Sequence, residues 1–141
     1  MDVTFAHLCD YATVSQDGKL SVMGIFGAIN TPQVPAVHPQ MYLAFELAFD
    51  YTEIGRDFTA GVQIVDEDGK IIWDLKGGGS IQSPLPPKPG DTPTAGQIFV
   101  IQGLKFDKFG SYDVNIFANG RPAKRIALKL NRMAAPSVPN S

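Results

Sequence analysis

The chain has 141 residues, of which 44% are hydrophobic and 18% charged, and its formal net charge is −2. This length suits one domain, and this composition excludes a chain that is disordered throughout. One cysteine excludes an internal disulfide, and no apolar run approaches the roughly 20 residues of a membrane helix. The N-terminus lacks the pattern of a signal peptide, so we expect a cytoplasmic protein with no membrane partner.

Two stretches near the N-terminus have the period of a strand. Asp2–Cys9 alternates, and Lys19–Ile29 is apolar on both faces, which predicts a central strand. The pair Asp17-Gly18 predicts the turn between them. Three prolines within residues 31–39 cannot pair regularly in a sheet, so this segment predicts an extended crossover from one sheet to another.

The middle of the chain continues in strands. Gln40–Asp50 is apolar on one face and polar on the other, which is typical of an antiparallel strand. Two further strands, 58–64 and 70–75, flank the predicted hairpin turn Asp66–Gly69, with Ile71, Trp73 and Leu75 expected to point inward. The run Gly77-Gly78-Gly79 is expected to loosen the chain, and residues 84–93, with five prolines, predict a long surface loop.

The last third predicts three more strands. Gln97–Phe106 is apolar on both faces and predicts a second central strand. Strands at 111–119 and 121–131 are joined by Asn119-Gly120, a strong hairpin signal. Lysines and a proline on the last strand are typical of an edge strand protected from further pairing. The segment before Tyr112 also has the pattern of a tyrosine corner.

Eight strands without an amphipathic helix predict an all-β fold. We expect a two-sheet antiparallel β-sandwich, immunoglobulin-like or C2-like, with sheet changes at the two proline-rich segments. We assign residues 1–132 to one domain and residues 133–141 to a flexible C-terminal tail.

Three groups of residues are candidates for chemical sites. His7 and Cys9 share a strand face and offer a thiol site, but a small buried hydrophobe explains Cys9 equally simply. Asp66, Glu67 and Asp68 offer oxygen ligands for calcium, against which stands a solvated hairpin tip. Two isolated histidines do not make a zinc motif. We therefore predict no catalytic residue, no cofactor and no metal.

A ligand or partner surface has separate candidates. Residues 1–74 carry eleven acidic and three basic side chains, whereas residues 105–132 carry seven basic and two acidic ones. The basic hairpin favours protection of an edge and attraction to the acidic strands over nucleic acid, because the chain is acidic overall. The candidate residues, with Trp73 expected to be core, are Tyr42, Tyr51, Arg121, Arg125 and Lys129.

Several short blocks resemble a family of small bacterial proteins defined only as a domain of unknown function. They are CDYA at 9–12, DGKL at 17–20, GIF at 24–26, PAVHP at 35–39, DEDGK at 66–70 and GSY at 110–112. The resemblance would span about residues 3–131 and implies a bacterial, non-secreted protein. It supplies no catalytic residue.

These observations favour a non-catalytic binding or scaffold module that acts through protein–protein contacts. A small-ligand or carbohydrate-binding module is the alternative, and an enzyme using Cys9 is a third reading. The low fraction of charged residues also allows a homo-oligomer, with Asp2–Cys9 as a candidate open edge.

Overall fold

The protein is described by a computed structural model that covers residues 1–82, 86, 88–90 and 92–134. The described residues form strands and one short 3-10 turn, Tyr51–Glu53, so the all-β prediction is confirmed. The strands are β1 Asp2–Val14, β2 Leu20–Phe26, β3 Ala28–Thr31, β4 Ala36–Ala48, β5 Asp57–Val65, β6 Ile71–Ser80, β7 Thr94–Phe106, β8 Gly110–Ala118 and β9 Arg121–Arg132.

The strands form two sheets. Sheet A has the order β2-β1-β4-β7 and is antiparallel throughout. Sheet B has the order β3-β9-β8-β5-β6 and is antiparallel except for the short parallel pair β3–β9. The chain changes sheet at both proline-rich segments, as predicted, although the second of these and the C-terminal tail lie partly outside the described residues.

One hydrophobic core takes side chains from both sheets. Sheet A contributes alternate residues of β4, such as Leu43 and Phe45, and sheet B contributes alternate residues of β5 and β8, such as Ile64 and Val114. All four are fully buried. This follows from the strand period of two, since every second side chain points to the same face.

The sequence assigned strand positions in sheet A wrongly. The stretches 19–29 and 97–106 were predicted to be central, but β2 and β7 are the two edges of the sheet. The candidate open edge Asp2–Cys9 belongs to β1, which pairs with β4 along this stretch, whereas β2 pairs only with its Leu8 and Cys9. Among the described residues, positions 2–7 therefore have no partner strand on the β2 side. The chain also leaves sheet A at Gly27, so the single predicted strand 19–29 is two strands, β2 and β3. The described residues therefore form nine strands where eight were predicted.

The β1–β2 hairpin explains why the strands of sheet A carry apolar residues on both faces of the sheet. Its far end folds across the outer face of sheet A, where Leu20 and Val22 pack with Cys9, Ala12 and Ala44. We call this group the outer cluster. The hairpin reaches over β4 as far as β7, since a Cβ at Gly96 would lie 3.3 Å from the Leu20 Cβ. The chain's own hairpin therefore covers part of the outer apolar face of sheet A.

A local distortion bends the hairpin. Cys9 pairs with Ile25 and Tyr11 with Met23, but the pair between them, Asp10 and Gly24, is missing from the ladder. Gly24 has a φ of +70°, and a Cβ there would overlap the Asp10 carboxylate. Only glycine accepts both conditions, so the CDYA and GIF blocks meet at the bend.

Strand β6 differs from its prediction in two respects. The run of three glycines does not loosen the chain, since it pairs with residues 58–60 of β5. Trp73 and Leu75 pair with the buried Ile64 and Val62 and share their face, but β6 is an edge and Leu75 remains 41% exposed. A register shift next to Ile71 leaves that side chain 49% exposed.

Candidate functional site

An apolar row crosses the outer face of sheet A. Ile25, Cys9, Tyr42 and Val100 occupy directly paired positions on β2, β1, β4 and β7. Cys9 is fully buried within the outer cluster, whereas Ile25 is 55% exposed and Val100 is 40% exposed. The row therefore presents apolar atoms to solvent on either side of its buried centre.

A second pair extends this row along the hairpin. Met23 is 68% exposed and lies opposite Tyr11, which is 50% exposed. The Tyr11 ring meets the Tyr42 ring edge-on, with 5.4 Å between centroids. We define the outer apolar patch as Tyr11, Met23, Ile25, Tyr42 and Val100. Contiguous exposed apolar side chains of this kind mark interaction sites on soluble proteins.

Sequence reasoning found one member of this patch, Tyr42, and missed the others. The signal was present, because Met23 and Ile25 alternate on the second face of their strand. That alternation was interpreted as burial beneath a neighbouring element. An apolar face gives the same pattern whether it is covered or left open, so the sequence could not separate the two.

The remaining predicted residues do not join the patch. Tyr51 lies in the 3-10 turn between β4 and β5. Arg125 and Lys129 lie on the outer face of sheet B, where the Arg125 guanidinium is 3.9 Å from the Asp113 carboxylate. Arg121 pairs with the buried Ala118 and lines a cleft of about 750 Å³ with Met1 and Glu53.

The acidic turn is held by protein groups. Asp66 Oδ1 accepts hydrogen bonds of 2.9 Å from the backbone N–H groups of Asp68 and Lys70. The Lys108 ammonium lies 3.6 Å from Asp66 Oδ2 and also donates to Asp68. Glu67 accepts from the Ser111 N–H at 2.8 Å. Lys108 therefore supplies a positive charge beside these carboxylates, at the place where a calcium ion was considered from the sequence.

Cys9 has the surroundings of a structural thiol. Its side chain donates a weak hydrogen bond to the Tyr42 carbonyl, with 3.7 Å between sulfur and oxygen. Burial raises the pKa of the Cys9 thiol, and the neighbouring Asp10 carboxylate raises it further. A thiol held protonated is a poor nucleophile, so these contacts favour packing over catalysis.

A groove on the outer side of sheet B is the other concave feature of note. It has a volume of about 350 Å³ and lies where Gly61 leaves a gap between Lys76 and Phe117. Gln63 and Asp74 add polar groups to its lining. A small ligand with one flat apolar part and several polar groups matches this lining.

Among the described residues, no three His, Cys, Asp or Glu side chains are grouped as a metal site. In the same part of the chain, no helix has the length and apolar character to span a membrane.

Comparison with known proteins identifies a family but no activity. The model of the family of unknown function DUF6941 matches residues 4–131. Among curated proteins none matches the chain. A solved structure, Pseudomonas fluorescens alkylpurine DNA glycosylase AlkC bound to DNA containing an abasic site analog, has 12% identity and a TM-score of 0.41. The alignment covers 89% of this chain and 30% of the glycosylase, and a likeness this low carries no functional argument.

Proposed function

The chain belongs to DUF6941, a family of unknown function, and we propose that it is a non-catalytic binding module that docks a protein partner on the outer apolar patch. The observation that carries this proposal is the row of apolar side chains across all four strands of sheet A, with Met23 and Tyr11 beside it.

The chemistry of the patch favours a protein as the partner. Aromatic residues and methionine are enriched where proteins bind one another, and charged residues are depleted at the centre of such interfaces. The five residues of the patch comprise two tyrosines, one methionine and two aliphatic side chains. Methionine adapts its shape to different surfaces, which suits the most exposed position of the patch, Met23.

Site-specific photo-crosslinking in the protein's own cells tests this proposal. A photoreactive residue at position 23 is compared with one at position 74, which is exposed on the edge strand of sheet B. We expect position 23 to give a discrete product with a different protein. Its mass should exceed that of the 15.2 kDa chain and should differ from that of two copies of it. Position 74 should not give it.

The variant Ile25→Lys provides the matched loss of function. A lysine at this exposed position places a charge within the patch without disturbing the core, so the product from position 23 should disappear. Equal products from positions 23 and 74, or a product that survives Ile25→Lys, would contradict docking on the patch.

The groove beside Gly61 supports a second candidate function, the binding of a small ligand such as a carbohydrate. The variant Gly61→Val narrows the groove, and its Cβ would make ordinary contacts, 3.6 Å from Lys76 Cγ and 3.9 Å from Phe117 Cβ. Native mass spectrometry of gently purified protein should then show an added mass that Gly61→Val removes. A wild-type mass equal to the chain alone argues against this candidate.

Two finer assignments belong with the proposal. We propose that the two sheets pack as an immunoglobulin-like sandwich, which the shared core supports. We also propose that the protein works in the cytoplasm of a bacterium, supported by a single unpaired and buried cysteine.

A further inference from the structure

The outer edge of β7 is open. β7 pairs with β4 from Thr94 to Phe106, and in the described part of the chain no strand pairs with its other side. The segment from Thr94 to Gln102 is straight in register over nine residues and contains neither a charged residue nor a proline. Gly103, with a φ of +64°, ends this straight segment. An uncharged edge of this length is a template for pairing with another strand.

The other free strand edges of the two sheets each carry a feature that discourages pairing. Residues 2–7 of β1, which β2 does not reach, begin with Asp2 and contain a register shift between Val3 and Phe5. β2 is bent at Gly24, and β3 has four residues. β6 places Asp74 and Lys76 at its edge, followed by three glycines. The free half of β9 contains Pro122, Lys124 and Arg125 and a register shift. These are recognised means of blocking edge-to-edge association, and the segment 94–102 lacks all of them except a single glycine.

We propose that the chain forms a homodimer in which β7 pairs antiparallel with β7 of a second copy. The two copies of sheet A then form one eight-stranded sheet. This inference does not rest on the proposed docking function, although the two share one residue of the outer apolar patch, Val100. It places the outer apolar patches of both copies on the same side of the joint sheet.

The register of this dimer follows from symmetry. A twofold axis perpendicular to the sheet keeps both outer faces on the same side, so side chains that face each other must share a face. The axis therefore passes between one residue and the same residue of the second copy, which face each other. Centring it on Ile98 pairs the entire straight segment, with Thr94 opposite Gln102 and Gly96 opposite Val100. No other centre pairs all nine residues.

A second copy of this chain fits this edge better than a charged partner strand. The unpaired N–H and C=O groups along the edge of β7 can bond to another extended strand. When the segment 94–102 pairs with its own copy, no like charges face each other, because it has no charged residue. The smallest residue, Gly96, lies opposite Val100, whose side chain is 40% exposed in the single chain. Pairing therefore covers Val100 next to Gly96, where Val14 and Leu20 of the hairpin also lie.

Cysteine crosslinking tests the register. Thr94 and Gln102 are both exposed, so Thr94→Cys and Gln102→Cys, each with Cys9→Ala, should leave the fold intact. Directly paired strand residues lie at a Cα separation within the range of a disulfide. We expect a disulfide dimer when the two variants are mixed and oxidised, and none from either variant alone. Val37→Cys is the control. Val37 is 60% exposed, but it lies on β4 away from the proposed seam, so its cysteine should not form a disulfide with Thr94→Cys.

Two charge variants test the dimer in solution. Thr94→Lys with Gln102→Lys places like charges opposite each other twice, whereas Thr94→Lys with Gln102→Glu places opposite charges there. We expect native mass spectrometry to show a wild-type dimer, and a dimer dissociation constant about tenfold or more weaker for the first variant than for the second.

A wild-type monomer at micromolar concentration would overturn the proposal. A dimer in which the mixed cysteine variants do not crosslink would overturn the β7 edge as its seam. Isolation of the chain with a strand of a different protein on this edge would overturn the second copy as occupant. Crosslinking at position 23 tests docking on the patch, and the cysteine and charge variants test the dimer. Each proposal can therefore be contradicted without contradicting the other.

Discussion

Single hydrogen-bonding side chains fix the turns of sheet B. Tyr112 is 3% exposed, and its hydroxyl donates a 2.6 Å hydrogen bond to the Lys108 carbonyl four residues earlier. Its ring meets Phe106 edge-on at 4.9 Å between centroids. This contact ties the chain that leaves β7 to the start of β8, as the sequence pattern of a tyrosine corner predicted.

The variant Tyr112→Phe should lower the free energy of unfolding by about 1–2 kcal/mol. It keeps the ring contacts but leaves the Lys108 carbonyl without this donor in a partly buried position. Urea denaturation measures the change. Tyr11→Phe, on a half-exposed ring, is the control and should change stability by less than about 0.5 kcal/mol. Equal effects from the two variants would contradict a structural role for the Tyr112 hydroxyl.

Asp66 makes stability depend on acid pH. The hydrogen bond from the Lys70 N–H lowers the pKa of the Asp66 carboxyl most, and the Asp68 N–H and Lys108 act in the same direction against the effect of burial. Because this pKa is lower in the folded than in the unfolded protein, ionised Asp66 stabilises the fold above the unfolded pKa of about 3.9. That contribution is lost as the pH falls from there through the folded pKa.

The variant Asp66→Asn should therefore be less stable than wild type at pH 6, with the difference shrinking as the pH falls below about 4. The asparagine oxygen can still accept the two backbone hydrogen bonds, so the turn persists while the charge is lost. Lys108→Met should remove a smaller part of the same pH dependence. Thermal unfolding between pH 2.5 and 6 measures both. A stability difference that stays constant across this range would be inconsistent with the ionised carboxylate as its source.

At the scale of elements, the bend in the β1–β2 hairpin decides what covers sheet A. Beyond the bend the hairpin lies across the outer face, where Leu20 and Val22 join Cys9 and Ala44. The close approach to β7 needs the absence of a side chain at Gly96. One hairpin thus supplies an edge strand and a partial cover for its own sheet.

The variant Gly24→Ala should destabilise the protein by about 1–3 kcal/mol from its positive φ alone, and further through overlap with Asp10. Adding Asp10→Ala should restore the stability lost to the overlap but not the stability lost to backbone strain. Gly27→Ala is the matched control, since no atom lies within 4 Å of its Cβ position and its φ is not positive. Denaturant midpoints compare the variants. Equal losses for Gly24→Ala and Gly27→Ala would show that the bend does not require glycine.

At the scale of the whole molecule, the shared core couples the two sheets. Leu43 of sheet A is fully buried in the same cluster as Ile64 and Val114 of sheet B. Trp73, the single tryptophan, packs against this cluster from the edge of sheet B. Its fluorescence therefore reports on sheet B, and a change in sheet A should reach it through the core.

The variant Leu43→Ala should cost about 2–5 kcal/mol and should shift the Trp73 fluorescence transition as much as the far-ultraviolet dichroism transition. Val37→Ala, at a position 60% exposed, should change stability by less than about 0.5 kcal/mol. A Leu43→Ala protein in which the fluorescence transition stays at its wild-type midpoint would show that the sheets unfold separately.

Much of the fold could be predicted from local patterns. The alternation within 40–50 located β4, and Asn119-Gly120 located the turn between β8 and β9. The role of Tyr112 followed from the residues around it. Of the candidate surface, however, Tyr42 was predicted and its neighbours Tyr11, Met23 and Ile25 were not. These three come from strands whose cover depends on how the hairpin bends, which no local pattern encodes.

The sequence by itself determined most of the strands and turns and the core-facing residues of β4, β5 and β8, because strand period and turn chemistry act over a few neighbouring residues. Only the tertiary structure decided that β2 and β7 are edges, that Cys9 is sealed beneath a folded hairpin, and that Met23 is open to solvent. The physical reason is that an apolar face looks the same in sequence whatever covers it. Whether it meets a strand, a hairpin, a partner or water is settled by contacts between residues far apart in the chain.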